Sequence, residues 1–117
     1  MKINLSYLKE MTGWNHSLVQ EMIDIFKDQV AEFSHNMEEY LNKKDYTSLG
    51  NLAHKAKSSI SIMGLDELSG DMKALENLAK SGKETEKYPL LVDKFKKETK
   101  IAVEELDEVL QNLELFL

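Results

Sequence analysis

The stretch from Leu49 to Gly64 reads LGNLAHKAKSSISIMG, and its apolar residues recur at the spacing of an α-helix. Each residue advances a helix by about 100° around its axis, so residues three, four and seven places apart share a face. The side chains that this pattern assigns to the protein core are Leu49, Leu52, Ala53, Ala56, Ile60 and Met63. His54 lies roughly opposite that face, and we therefore expect its imidazole to be exposed to solvent.

Small residues surround the imidazole on the predicted surface of this helix. Lys57, Ser58 and Ser61 share the face of His54, and Gly50 lies one turn before it. An imidazole that stands on a flattened helix surface, with one ammonium group beside it, is accessible to a large partner. The pattern therefore predicts a docking site.

The spacing of His54, Lys57 and Gly64 resembles the signature of the histidine-containing phosphotransfer domain, abbreviated HPt. That signature consists of a histidine, a basic residue three places later, small residues directly after it, and a glycine ten places after the histidine. The resemblance continues towards the N-terminus, where residues 5–13 resemble the family's short first helix and residues 22–26 its long second helix. It covers essentially the whole chain.

The resemblance implies a phosphoryl carrier in a multistep two-component phosphorelay. His54 would accept the phosphoryl group from a receiver-domain aspartyl-phosphate and pass it to another receiver, while Lys57 would compensate the charge of the phosphoryl oxygens. The expected partner is the receiver domain of a hybrid histidine kinase, of a response regulator, or of both. The Mg²⁺ that family members use would be held by the receiver, so we expect no cofactor or metal in this chain.

The chemistry of phosphoryl transfer suits these residue types. A neutral imidazole is a good nucleophile near pH 7 and a good leaving group once it is phosphorylated, so transfer can run in both directions. The transfer step asks mainly for positioning and for charge compensation. No ATP-binding motif or kinase signature is present, so we expect a phosphocarrier without autokinase activity rather than an enzyme.

Further positions are expected to shape the docking surface. The residues predicted to allow close approach are Gly50, Ser58, Ser61, Ile62 and Gly64. Ser58 departs from the family's common glycine but remains small. Ile62 is either a contact for the partner's helix or one of the scattered apolar residues that every protein surface carries.

Two charged residues of the predicted fourth helix lie where relatives of the family often place groups that assist the phosphoryl group. Lys80 occupies the position of a basic residue and could serve in that role. Glu76 occupies the position of a glutamine, and its carboxylate would repel phosphate. We therefore expect Glu76 to be a solvated glutamate on a helix face.

Composition limits the classes of protein that the chain can belong to. One proline and five glycines among 117 residues favour a single all-α domain, residues 1–117. The absence of cysteine excludes disulfides and thiolate metal sites, and the net charge of −6 with dispersed lysines argues against nucleic-acid binding. No apolar run reaches the length of a membrane span and no signal peptide is evident, so we expect a cytoplasmic protein. We expect it to be a monomer.

The hydrophobic periodicity predicts an antiparallel up-down four-helix bundle with a short additional N-terminal helix. The predicted helices cover residues 4–11, residues 15 or 17 to about 43, residues 45–64, residues 66–81 and residues 89–117. Asn15 or Ser17 would cap the second helix, while Asp45 and Asp66 would cap the third and fourth. Pro89 suits the first turn of the fifth helix.

Each predicted helix has an apolar face. The face of the second helix consists of Leu18, Met22, Phe26, Val30, Phe33, Met37 and Leu41. The face of the fourth helix consists of Leu65, Leu68, Met72, Leu75 and Ala79. The face of the fifth helix consists of Leu91, Phe95, Ala102, Leu106, Val109, Leu113 and Phe116.

Two other functions compete with the phosphocarrier. The first is a non-catalytic helical adaptor that binds a receiver through the same flattened surface without taking phosphate. The second is a ligand- or metal-binding bundle, which would need polar residues at the inferred core positions, and none lie there. His16 and His35 are too far apart on one helix to share a metal ion.

Overall fold

A computed structural model describes residues 3–113, and the regular structure in that range is entirely helical, without a strand. The helices are α1 (Leu5–Thr12), α2 (His16–Lys43), α3 (Tyr46–Ile62), α4 (Asp66–Ser81) and α5 (Tyr88–Gln111). A short 3₁₀ turn, Thr85–Lys87, precedes α5 and was not predicted. Over the same residues, no helix combines the length and the apolar character needed to cross a bilayer.

Polar side chains satisfy the free N–H groups at the start of the first three helices. Asn4 caps α1, and the Asn15 side chain accepts a hydrogen bond from the Leu18 N–H, which identifies Asn15 rather than Ser17 as the cap of α2. Asp45 caps α3 as predicted.

The start of α4 differs from the prediction. Leu65 occupies the cap position and makes no side-chain hydrogen bond there, whereas Asp66 is the first helical residue. The Asp66 carboxylate therefore lies in the first turn, where the positive end of the helix dipole favours an anion.

The helices contact one another in a closed cycle around one hydrophobic core. α2 packs against α3 and α5, while α4 packs against α3 and α5. All six core residues predicted for α3 are buried, and so are the five predicted for α4. The predicted buried apolar residues of these two helices are therefore confirmed. The contact between α3 and α4 also forms the site described below.

The buried face of α2 begins differently from the prediction. Leu18 is exposed, and Val19 and Ile23 are buried in its place beside Phe26. The reason is the 3.6-residue turn: eight residues before Phe26 a side chain has rotated by about 80°, whereas seven residues before it the rotation is only about 20°. A face predicted from residues four places apart therefore points away from the core at Leu18.

Helix α5 begins as predicted, with Pro89 in its first turn, but it ends at Gln111 instead of continuing to the end of the chain. The Asn112 side chain donates a 2.9 Å hydrogen bond to the Glu108 carbonyl and so satisfies one of the last carbonyl groups. Leu113 is buried beyond the helix end. Phe116 lies outside the described residues.

Candidate functional site

His54 is held on the surface of α3 by the buried residues of the opposite helix face. Its side chain is 62 % exposed, as the helix phase predicts. The ring nitrogen Nδ1 lies 2.8 Å from the Oε2 atom of Glu76 on α4. With Nδ1 engaged, Nε2 is the ring nitrogen left for reaction with a partner.

Glu76 is buried, so the prediction of a solvated glutamate is wrong. It lies four residues after Met72 and three before Ala79, which places it at the edge of the buried face of α4. Besides the imidazole it meets two ammonium groups: Lys80 Nζ lies 2.9 Å from Oε2 and Lys57 Nζ lies 3.4 Å from Oε1. We refer to His54, Lys57, Glu76 and Lys80 as the His54 cluster.

The cations keep Glu76 ionised. The hydrogen bond from Lys80 is the largest cause that lowers the pKa of Glu76 from 4.5 to about 2. Lys57 and the protonated form of His54 lower this pKa further, while burial opposes the shift. A carboxylate can only accept hydrogen bonds, so this contact favours the form of the imidazole that carries a proton on Nδ1. In the neutral ring with that proton, Nε2 has the free electron pair that a nucleophile requires.

Gly50 explains why α4 comes close enough to supply these groups. It is buried, and a Cβ atom placed there would lie 3.3 Å from the Glu76 carbonyl oxygen, 3.4 Å from Ala79 Cβ and 3.0 Å from Lys80 Cγ. The expectation that Gly50 belongs to the exposed docking surface is therefore wrong. A glycine on the His54 face does indicate that another backbone approaches α3 closely at this position. From the sequence we expected a partner protein to make that approach, whereas the structure shows that α4 makes it.

Gly64 also has a role within the chain. It adopts a left-handed conformation (φ +74°) just after α3 ends, as predicted for that position. A Cβ atom there would come within 2.7 Å of the Asn4 backbone nitrogen, because Asn4 N–H donates to the Met63 carbonyl directly beside it. The close approach at Gly64 is thus made by the N-terminal segment, and a contribution of Gly64 to docking stays a prediction.

The remaining predicted docking residues do lie at the surface of α3. Ser58, Ser61 and Ile62 are exposed, and the Ser61 hydroxyl donates a 2.8 Å hydrogen bond to the Lys57 carbonyl. Ser58 and Ile62 also line an open groove of about 290 Å³ between α2 and α3. Met11 and Ile25, both half exposed, contribute to the same groove.

Within residues 3–113, no group of three or more His, Cys, Asp or Glu side chains is arranged so that it could hold a metal ion. His16 is exposed on α2. His35, on the same helix, lies 3.8 Å from Glu39 and is also exposed.

The His54 cluster combines an exposed imidazole with two ammonium groups, which are the residue types that phosphoryl transfer through histidine requires. The family model of the Hpt domain matches residues 21–116, which include the whole cluster. The chain therefore belongs to the Hpt domain family, whose members act in phosphotransfer in two-component phosphorelays. This confirms the family identified from the sequence. Neither a curated protein nor a solved structure matches the chain.

Proposed function

We propose that this chain is a phosphorelay intermediate that accepts a phosphoryl group on Nε2 of His54 from the aspartyl-phosphate of one receiver domain and passes it to another. The observation that carries the proposal is the 2.8 Å contact between Nδ1 of an exposed imidazole and a buried carboxylate. This contact directs the reactive electron pair to Nε2 before any partner arrives, so no proton has to move when the nitrogen attacks phosphorus.

In the forward step the Nε2 electron pair forms the N–P bond while the bond between phosphorus and the aspartate oxygen breaks. The Lys57 ammonium group can move to contact the phosphoryl oxygens, because its 3.4 Å contact with Glu76 is long for an ion pair and its side chain is partly exposed. Lys80 reaches the same carboxylate from α4 and supplies a second positive charge. The Mg²⁺ of the reaction belongs to the receiver in this proposal.

The receiver docks over α3 and the adjoining groove. Ser58 and Ser61 keep the surface low beside His54, so an aspartate recessed in a receiver pocket can reach the imidazole. Ile62, Ile25 and Met11 provide exposed apolar contacts next to it. Burial of such contacts is what stabilises a transient protein complex around a polar reaction centre.

The same proposal covers the architecture and the setting of the protein. The closed cycle of contacts among α2, α3, α4 and α5 supports an antiparallel four-helix bundle that forms a single domain. It acts as a monomer in the cytoplasm and has no kinase activity of its own. Residues for phosphotransfer come from α3 and α4 of one chain, which is why a second copy is not needed.

A transfer assay tests the proposal. Receiver domains of the source organism are phosphorylated with a small phosphodonor, freed of that donor, and mixed with the wild-type protein, with His54→Gln and with the matched control His35→Gln. Wild type and His35→Gln should gain an acid-labile, alkali-stable phosphate, and His54→Gln should gain none. Phosphate on His54→Gln would refute the site. Binding of a receiver by the wild type without any phosphate uptake would identify the non-catalytic adaptor instead.

A further inference from the structure

The carboxylate of Glu76 conflicts at first sight with a phosphoryl-accepting site. A phosphoryl group brings nearly two negative charges, and a nearby carboxylate repels them. Yet Glu76 is buried against α3 and contacts the acceptor ring itself. A neutral glutamine could also accept the Nδ1–H hydrogen bond, so selection of the correct tautomer does not require the charge.

The charge has a distinct effect once the ring is phosphorylated. With phosphorus on Nε2 and a proton on Nδ1, the imidazole is a cation. When the N–P bond breaks, its electron pair stays on Nε2, and the ring departs as a neutral imidazole that still holds its Nδ1 proton. If Nδ1 has lost that proton, the ring must depart as an imidazolate anion, which is a far poorer leaving group.

We propose that Glu76 is a positioning residue that keeps the Nδ1 proton on phosphorylated His54 and thereby maintains fast release of the phosphoryl group at neutral and mildly alkaline pH. This inference rests on the proposed function and concerns the second half of the relay, in which the phosphoryl group leaves. The acceptor is the carboxylate of the next receiver or water, whose oxygen forms the new bond to phosphorus as the N–P bond breaks.

The charges around the ring support this role. The imidazole belongs to α3 and lies against α4, and the charged groups that face it are Lys57 on α3 with Glu76 and Lys80 on α4. The two ammonium groups oppose protonation of the ring, but both are paired with Glu76. In the loaded cluster, the phosphoryl dianion and the carboxylate balance the two lysines and the protonated ring. Removing the carboxylate would leave the lysines to repel the Nδ1 proton.

The test uses the full chain loaded with phosphoramidate, which phosphorylates imidazole without any receiver. After the donor is removed, hydrolysis of phosphorylated His54, identified as the signal that is absent from His54→Gln, is followed by ³¹P NMR between about pH 5 and pH 10. The hydrolysis rate should fall as the pH rises, and in Glu76→Gln this fall should occur about one pH unit lower than in wild type. At a pH between the two transitions, the phosphohistidine of Glu76→Gln should therefore last up to about tenfold longer. Glu76→Asp, which retains the charge, should recover part of the difference. Glu39→Gln removes the carboxylate of the exposed pair with His35 and is the matched control, expected to follow the wild type.

Superimposable profiles for wild type and Glu76→Gln would overturn the inference. If Glu76→Gln does not fold, as judged by its helical circular dichroism, the wild type decides the question alone. The ¹⁵N shift of Nδ1 in phosphorylated His54 should then show a proton that persists to higher pH than in free phosphohistidine, and equal titration would overturn the inference. Neither measurement depends on a receiver, so failure of the relay assay and failure of this inference are distinguishable.

Discussion

Gly50 and Gly70 provide a matched pair of glycines, each the fifth residue of its helix, with which the α3–α4 approach can be tested. A Cβ atom at Gly70 would meet no heavy atom within 4 Å, whereas one at Gly50 would meet the Glu76 carbonyl oxygen at 3.3 Å and Lys80 Cγ at 3.0 Å. Alanine removes the entropic disadvantage of glycine in a helix, which is worth about 0.5–1 kcal/mol at either position. Only Gly50→Ala adds a steric cost.

The size of that cost follows from which neighbours can move. Lys80 Cγ belongs to a flexible side chain and can rotate away. The Glu76 carbonyl belongs to the backbone of α4, so the helix itself must shift by a few tenths of an ångström. Such overpacking costs about 1–3 kcal/mol, enough to cancel or exceed the gain in helix propensity. We therefore expect Gly70→Ala to be more stable than Gly50→Ala by at least about 1 kcal/mol, or about 3–6 °C in Tm.

Urea unfolding followed by circular dichroism measures the stability of both variants, and phosphate uptake from a receiver measures the site. A shift of α4 lengthens the contact between His54 Nδ1 and Glu76, so Gly50→Ala should transfer more slowly than wild type while Gly70→Ala should not. Equal stabilisation of the two variants together with wild-type transfer in Gly50→Ala would refute the idea that Gly50 controls the position of Glu76.

Three further predictions concern the cluster and the docking surface. Lys57→Ala should slow transfer with little change in Tm, because the Lys57 ammonium is partly exposed and its contact with Glu76 is long; a large loss of Tm would place it in the fold instead. Ser61→Trp should keep its helical spectrum but lose receiver binding, measured by calorimetry, since the new ring stands on the exposed side of α3. Glu76→Gln should lower the free energy of unfolding at pH 7 by about 1–2 kcal/mol, after allowance for the exposure of its lysine partners. Because the pKa of Glu76 is depressed from 4.5 to about 2, this difference should be complete above about pH 4.5 and disappear as the pH falls through 2; an equal difference at pH 7 and pH 2 would contradict it.

The part of the fold that depends on local signals could be predicted from the sequence. Helix α3 is the clearest case, since its apolar residues define one face, Asp45 supplies the cap and Gly64 the left-handed residue at the end. The exposure of His54 follows directly from that phase. Leu18 was misplaced because residues at four-residue spacing drift around the helix, and the drift goes unnoticed until tertiary contacts fix which side is buried.

The position of Glu76 could not be obtained from local signals. A glutamate is among the residues that are least often buried, and its helix contains enough apolar residues to form a core face without it. Its burial depends on three partners, two of them on α3, and on the absence of a side chain at Gly50. These conditions belong to the contact between two helices, so neither helix alone reveals them.

The contact between the two helices also determines the effect that we propose for Glu76. If only its repulsion of phosphate is considered, a carboxylate is unfavourable at any position near the phosphoryl-accepting histidine. The structure places it against Nδ1 rather than in open solvent and pairs it with Lys57 and Lys80. Its repulsion of the phosphoryl oxygens is thus compensated by the two lysines, whereas its attraction for the Nδ1 proton acts on the ring directly. In this proposal a carboxylate that attracts the Nδ1 proton serves both steps: it leaves the Nε2 electron pair free when the histidine is loaded, and it keeps the ring a good leaving group when the phosphoryl group is passed on.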